Sequence, residues 1–405
     1  MKKSHNNPDS CIACTSCVAY CPVSAVTRKY AGPKMMGPAL ERFRGTDANT
    51  EFSLEYCSNC KNCDISCPSG VPISTLNMLA KSKLYKTKQH SLLEWILAHS
   101  DIISKLASPI ASLSNFGMAN PITKKILKMI GVTDTMSLPS YARKTFLRQF
   151  QALKQQSFTD KVVFFPGCYI NYYEPGIGMD FVAVMQKNRF EVVVPDGLDC
   201  CGSPQVVQGY LDEAVVKART NITALKGWID QGVPLITCCT SCGLMLKMEI
   251  QELMDLEDMD KLAENTYDSS EFLLELHDKG RLNTQFGPVP GRYMYHTPCH
   301  LRAQGIGRPS LELLSMLPGI QIEDADAGCC GQSGTYGFQV DKHEIAMAIG
   351  EPVFQRIKEY KPDAIVSDCS GCRMQLSQNT GVPALHPMTL LRRSYEAAEK
   401  RVLKN

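Results

Sequence analysis

Eight of the chain's nineteen cysteines stand in two copies of one pattern. Cys11, Cys14, Cys17 and Cys21-Pro22 form the first; Cys57, Cys60, Cys63 and Cys67-Pro68 form the second. Three thiols at two-residue gaps share one tight loop, where each can bind a different iron of a single cubane. The fourth, ahead of a proline, points away and completes the opposite cluster. This crossed arrangement assigns Cys11, Cys14, Cys17 and Cys67 to one 4Fe–4S cluster, and Cys21, Cys57, Cys60 and Cys63 to the other. Structural zinc competes with this reading, but zinc sites are usually separated C-x2-C pairs closing one tetrahedron.

At 405 residues the chain is long enough for two or three domains, each with a core of its own. The N-terminus, MKKSHNNPDS, has no apolar stretch of the kind a secretory signal needs. Metal-bound thiolates in a reducing compartment are therefore expected rather than disulfides. The formal net charge of +2 hides a local excess. Between Lys81 and Asp160 stand twelve Lys or Arg and four Asp or Glu, a balance of +8 that leaves −6 for the other 325 residues. Such a stretch suits anionic lipid, nucleic acid or an acidic partner.

Residues 1–85 carry the two cysteine motifs on short segments and turns. Gly32-Pro33 and Gly37-Pro38 read as loop, Leu40 to Tyr56 as a helix delivering the second motif, and Val71-Pro72 as the start of a helix towards Lys83. Residues 86–160 read as a basic linker of amphipathic helices broken at Pro109, Gly117, Pro121 and Gly131. Leu92, Ile96, Ile103 and Leu106 follow one helical stripe. Between Asn120-Pro121 and Gly131, Ile122, Ile126, Met129 and Ile130 share a side opposite Lys124, Lys125 and Lys128. Phe146, Phe150 and Leu153 form another stripe among Arg143, Lys144 and Arg148. These stripes serve equally well to lie on a membrane surface or to pack on neighbouring domains. The longest uncharged run, Leu106 to Thr123, is too polar for a transmembrane span.

The second half repeats itself. Cys168, Cys200, Cys201, Cys239 and Cys242 recur as Cys299, Cys329, Cys330, Cys369 and Cys372, at offsets of 131, 129, 129, 130 and 130 residues. Five positions in step define two related domains, 161–290 and 291–405. Short apolar runs such as Val162–Phe165, Tyr293–Tyr295, Pro234–Thr237 and Ala364–Val366 end just before cysteines, and helical patterns follow. That alternation predicts α/β units with parallel strands, whose C-terminal ends would gather the cysteines around one site per copy. Five thiols exceed what a cubane needs, so the vicinal pair points to a less regular cluster; zinc with a spare cysteine is the alternative. Gly202 and Gly331 are expected to let the backbone pass close to a metal. Cys238 has Asp368 as its counterpart and reads as a bystander. His296 and His300 flank Cys299 and read as strand-end histidines satisfied by backbone.

The repeat resembles the CCG domain of heterodisulfide reductase-type proteins, in which such cysteines bind non-cubane 4Fe–4S clusters. The whole order, including Gly32-Pro33-Lys34, Tyr295-His296-Thr297-Pro298-Cys299-His300 and Gly331 to Phe338, is similar to the iron–sulfur subunits of anaerobic glycerol-3-phosphate dehydrogenases. The resemblance implies an α+β multidomain chain: a mainly helical two-cluster ferredoxin domain, a helical linker and two α/β CCG domains. It implies two cubane clusters, one or two non-cubane clusters, a flavoprotein partner, menaquinone as acceptor, and no nucleic acid. It also implies a cytoplasmic location, bound peripherally to the inner face of the cell membrane. Relatives often have an incomplete cysteine set in the first CCG copy; here both are complete.

No G-x-G-x-x-G follows a strand, and Gly176-Ile177-Gly178 lacks the third glycine, so the chain reads as an electron-transfer protein without a flavin site of its own. Two other readings stay open. One is reduction of a disulfide at a catalytic non-cubane cluster, or kinship with the iron–sulfur proteins of glycolate and lactate oxidation. The other, DNA binding, rests on the basic linker alone, without a helix-turn-helix or zinc-finger pattern.

Overall fold

The computed structural model describes residues 7–44 and 52–402. Two wholly parallel four-stranded sheets occupy the second half. The first holds β1 (Asp160–Phe164), β2 (Phe190–Val193), β3 (Leu235–Thr237) and β4 (Thr266–Asp268) in the order β2-β1-β3-β4. The second holds β5 (Gly291–Tyr295), β6 (Ile320–Asp324), β7 (Ala364–Val366) and β8 (Ala384–Leu385) in the order β6-β5-β7-β8. The cysteine repeat is thus a repeat of the fold. Parallel neighbours need crossovers, and helices such as Pro175–Lys187, Leu211–Ile229 and Val340–Tyr360 supply them. The central strands run fully buried at their C-terminal ends, as β-rich apolar segments covered on both faces must.

No part stands apart. Phe164 and Ile236 from the first sheet share one apolar core with Tyr295 and Val366 from the second. Another core joins Leu54 and Met78 of the N-terminal part to Val206, Leu246 and Ile345. The N-terminal part itself is short helices and turns, and the helix Ile73–Tyr85 follows Val71-Pro72 as expected. The helix expected from Leu40 to Tyr56 is not formed as read. Pro38 lies inside a π-type turn, Met35–Ala39, with Gly37 far from helical ψ; Leu54–Tyr56 is a single 3₁₀ turn. Residues 45–51 of that segment lie outside the described residues.

The linker stripes divide. Leu92–Ala98 and Ser100–Ala107 are separate helices, broken at His99, whose ring bonds Trp95 O and Glu213 at 2.8 Å each. Phe146, at the start of helix Phe146–Gln151, is fully buried against the first sheet domain. Asn120 caps helix Pro121–Met129, accepting from Ile122 N at 2.8 Å, and Gly131 ends it at φ +101°. On that helix both faces meet solvent: Ile122, Ile126 and Met129 are exposed, as are Lys124, Lys125 and Lys128. No helix among the described residues is long and apolar enough to cross a membrane.

Backbone geometry by itself calls for glycine at 202 and 331. Both are left-handed, at φ +90° and +85°, and a Cβ on Gly331 would meet Ala346 O at 1.9 Å. Gly334 is also left-handed, at φ +61°, but nothing lies within 4 Å of its Cβ position. Gly331→Ala should therefore cost about 3 kcal/mol or more, from strain and overpacking together, against about 1 kcal/mol for Gly334→Ala. Urea unfolding midpoints of the two variants check this; equal midpoints would contradict it.

Candidate metal centres

The loops Cys11–Pro22 and Cys57–Pro68 share an unusual backbone. Ala13 and Thr15 in the first, and Asn59 and Lys61 in the second, all have positive φ, between +52° and +67°. Left-handed conformations cost non-glycine residues about 1–2 kcal/mol each. Left-handed residues at alternate positions of a tight loop can turn its N–H groups towards one concavity, a place for an anion. A short helix then carries the third cysteine: Ser16–Ala19 for Cys17, Asn62–Ile65 for Cys63.

The thiols sort into two neighbourhoods. Burial raises the Cys17 pKa, and Cys11, Cys67 and Cys14 push it further. Burial also raises Cys57, which has Cys21 as its charged neighbour, and Cys60, which faces Cys329, Cys21 and Cys57. Cys63 is raised by burial, then by Asp64, Cys60 and Cys57. Cys67 thus lies with the first loop and Cys21 with the second. All nineteen cysteines are free thiols. Crowded thiols with raised pKa values ionise readily only beside a cation, so a metal cluster fits this donor set and would displace their protons.

In the first sheet domain Cys168 follows β1, Cys200 and Cys201 follow β2, and Cys239 and Cys242 follow β3. In the second, Cys299 follows β5, Cys329 and Cys330 follow β6, and Cys369 and Cys372 follow β7. Each set therefore gathers at the C-terminal ends of parallel strands. Cys168 and Cys200 sulfurs lie 3.9 Å apart, those of Cys330 and Cys372 3.1 Å apart. One thiol of each vicinal pair is the favoured anion: hydrogen bonds from Cys168 and Cys201 lower Cys200, and those from Cys299 and Cys330 lower Cys329. Cys239 and Cys369, which cap helices, are lowered too, chiefly by Cys242 and Cys372; Cys369 falls to about 6.

The three regions touch. Cys60 and the pair Cys299 and Cys329 lie within each other's electrostatic reach, as do Cys239 and Cys369. His300 joins all three: Nε2 lies 3.1 Å from Asn59 O and Nδ1 2.9 Å from Ser241 Oγ. Backbone satisfies His300 in part, as expected, but not His296. That ring is buried, and one of its nitrogens lies with the Cys330 and Cys372 sulfurs, all within 4.8 Å of one another. Burial lowers its pKa to about 4, so the imidazole is neutral. Cys238 points elsewhere, towards Ser269, Asp268 and Asp368.

Lys61, between Cys60 and Cys63, is not singled out by the sequence pattern. Its Nζ reaches Glu252 at 2.6 Å, Thr75 Oγ1 at 3.1 Å and Glu249 at 3.7 Å, and Asn59 Nδ2 donates to Glu249 at 2.8 Å. Burial opposes its charge, but Glu249, Glu252 and Asp64 outweigh burial and raise its pKa.

Comparison with known proteins agrees with this layout. Residues 7–71 match the 4Fe-4S dicluster domain, and residues 162–247 and 293–377 each match the cysteine-rich domain called CCG. One subunit of the anaerobic glycerol-3-phosphate dehydrogenase of Escherichia coli K12 is 34% identical over 388 residues, covering 95% of this chain and 97% of its own. The chain belongs to that family. It is an iron–sulfur protein whose dicluster domain holds two 4Fe–4S clusters, and the cysteine-rich domains suit further clusters. One subunit of the fumarate reductase (CoM/CoB) of Methanothermobacter marburgensis is 28% identical, covering 91% of this chain and 67% of its own. Lactate utilization protein A 2 of Bacillus cereus is 27% identical, covering 57% and 97%.

Lys61→Met should cost about 3–5 kcal/mol by leaving Glu249 buried without its cation. Adding Glu249→Gln should recover part of the loss. Denaturant unfolding of the two variants is the measurement, and an unchanged midpoint for the single variant would refute the clasp.

Proposed function

We propose that this chain carries electrons from a flavoprotein that oxidises glycerol 3-phosphate to menaquinone, and holds the complex on the inner face of the cell membrane. The observation that carries the reading is that His300 bonds both Asn59 O of the second ferredoxin loop and Ser241 Oγ of the first repeat, which brings Cys60 into the electrostatic field of Cys299 and Cys329, and Cys369 into that of Cys239. Cys11, Cys14, Cys17 and Cys67 would hold one cubane, and Cys21, Cys57, Cys60 and Cys63 the other. The two five-cysteine sets would hold non-cubane clusters. Clusters of this kind exchange one electron at a time, which is what a wire between a flavin and a quinone requires. The chain's own residues supply the loops, the thiolates and the fixed spacing.

Docking on lipid is supported by the linker. Leu106, Ile110, Leu113, Phe116, Ile122 and Met129 are each more than half exposed, at 56–82%. Exposed apolar clusters of this density mark interaction surfaces. The surrounding Lys105, Lys124, Lys125, Arg143 and Arg148 are exposed and give the face affinity for anionic headgroups.

Two measurements test the reading. A complex containing this chain should reduce a menaquinone analogue with glycerol 3-phosphate as donor, and the flavoprotein alone should not; equal rates would sink the assignment. Separately, replacing Leu106, Phe116, Ile122 and Met129 by Glu should weaken sedimentation with phosphatidylglycerol vesicles at least tenfold. Undiminished binding would remove the linker from the membrane contact.

A further inference from the structure

The linker and the first CCG domain border an open cavity of about 690 Å³. Ile102, Leu147, Phe150 and Leu153 from the linker form an apolar wall. Cys168 and Cys200 line the same space, and the Lys217 ammonium stands at its edge, paired with Asp101 at 2.7 Å and Asp199 at 3.1 Å. Ile102 and Leu153 are also among the exposed large apolar residues, so the cavity is continuous with the apolar surface of the linker.

The repeat gives this cavity its meaning. Cys168 and Cys200 correspond to Cys299 and Cys329 in the second copy. There the second ferredoxin loop lies beside the equivalent edge, with Asn59 O bonded to His300 and Cys60 close enough to raise the thiol pKa of Cys299. One copy therefore presents this edge to another thiol set, and the other presents it to a space of ligand size. A flat apolar ligand bearing polar atoms matches that space: carbon against the Phe150 and Leu147 side, a carbonyl oxygen towards the polar side lined by Asn171 and Tyr172.

We propose that this cavity binds the ring of a quinone, with its apolar tail leaving past Ile102 and Leu153 into lipid. The proposal rests on the reading that electrons leave this chain to a membrane quinone, and it places that exit at Cys168 and Cys200. Reduction of the ring takes two electrons and two protons and converts two carbonyls to two hydroxyls. The donor by class is an iron–sulfur centre re-reduced by the flavoprotein, and water at the open mouth supplies the protons.

The test uses the assembled complex and 2-heptyl-4-hydroxyquinoline N-oxide, a water-soluble quinone mimic whose fluorescence is quenched on binding. Ile102→Arg and Leu153→Arg, made separately, alter exposed positions; iron and sulfide contents equal to the parent show that each has folded. Binding should weaken at least tenfold in each, with the KM for a short-chain naphthoquinone rising in parallel. If the parent complex binds the mimic and reduces naphthoquinone but both variants bind it equally well, the site lies elsewhere and the menaquinone reading stands. If the parent complex neither binds the mimic nor reduces naphthoquinone, both are overturned.

Discussion

The Lys61 ammonium sits almost out of water between two cysteines of the second ferredoxin loop, with a side chain 3% exposed, held by Glu249 and Glu252 of the first CCG domain. An isolated buried ammonium costs several kcal/mol, and a partnered one holds its partners firmly because losing either leaves a buried charge. Asn59 adds a hydrogen bond to Glu249 from two residues away, and His300 of the second CCG domain takes Asn59 O. One loop is thus pinned to both repeats at once. The relative position of the thiol sets follows from that clasp, because Cys60 belongs to the same loop.

Charge is the second constraint. Thiolates gathered at strand ends need positive surroundings, and helix N-termini at Cys239 and Cys369 give part of them. Buried cations give more. Arg373, one residue past Cys372, donates to Ser367 O at 2.8 Å and pairs with Glu174. Lys81 is pulled down to about 8, first by burial and then by Lys342, while a charge on Cys57 works the other way. Negative charge on the second ferredoxin loop therefore stabilises the Lys81 ammonium, and the ammonium in turn favours the anion.

Much of this was legible in the sequence because cysteine spacing is a local signal. The C-x2-C-x2-C-x3-C-P runs and the five-point repeat place all eighteen thiols of the candidate centres, and the apolar runs ahead of them give the parallel strands. Contacts between distant segments left no such trace: Asn59 and Glu249 are 190 residues apart, and nothing in either neighbourhood points to the other. Gly37-Pro38, read as loop, lies in a π-type turn, while the helix expected from Leu40 to Tyr56 yields, from residue 42 on, only turns at 42–43 and 52–53 and a 3₁₀ turn at Leu54–Tyr56 among its described residues. Amphipathic periodicity could not say what an apolar stripe faces. Phe146 packs inside while Ile122, Ile126 and Met129 meet solvent, though their stripes read alike. The difference lies in neighbours: Gly178 leaves room on the first CCG domain for the Phe146 ring, and among the described residues none covers the Pro121–Met129 stripe.

Duplication made two sites with the same ligands, and their surroundings then set them apart. His296 and His300 of the second copy correspond to Phe165 and Tyr169 of the first. The second site thus has a buried neutral imidazole against Cys330 and Cys372, where the first has an apolar ring. A ferredoxin loop is also bonded to His300 beside the second site, while Cys168 and Cys200 border an open cavity. Hydrogen bonds to sulfur and access to solvent are the levers that set the potential of an iron–sulfur centre. Clusters held at two sites equal in thiols and unequal in both levers would hold electrons with unequal strength. A path with another thiol set at one copy and a cavity at the other would need that difference, since electrons on it would otherwise have no preferred end.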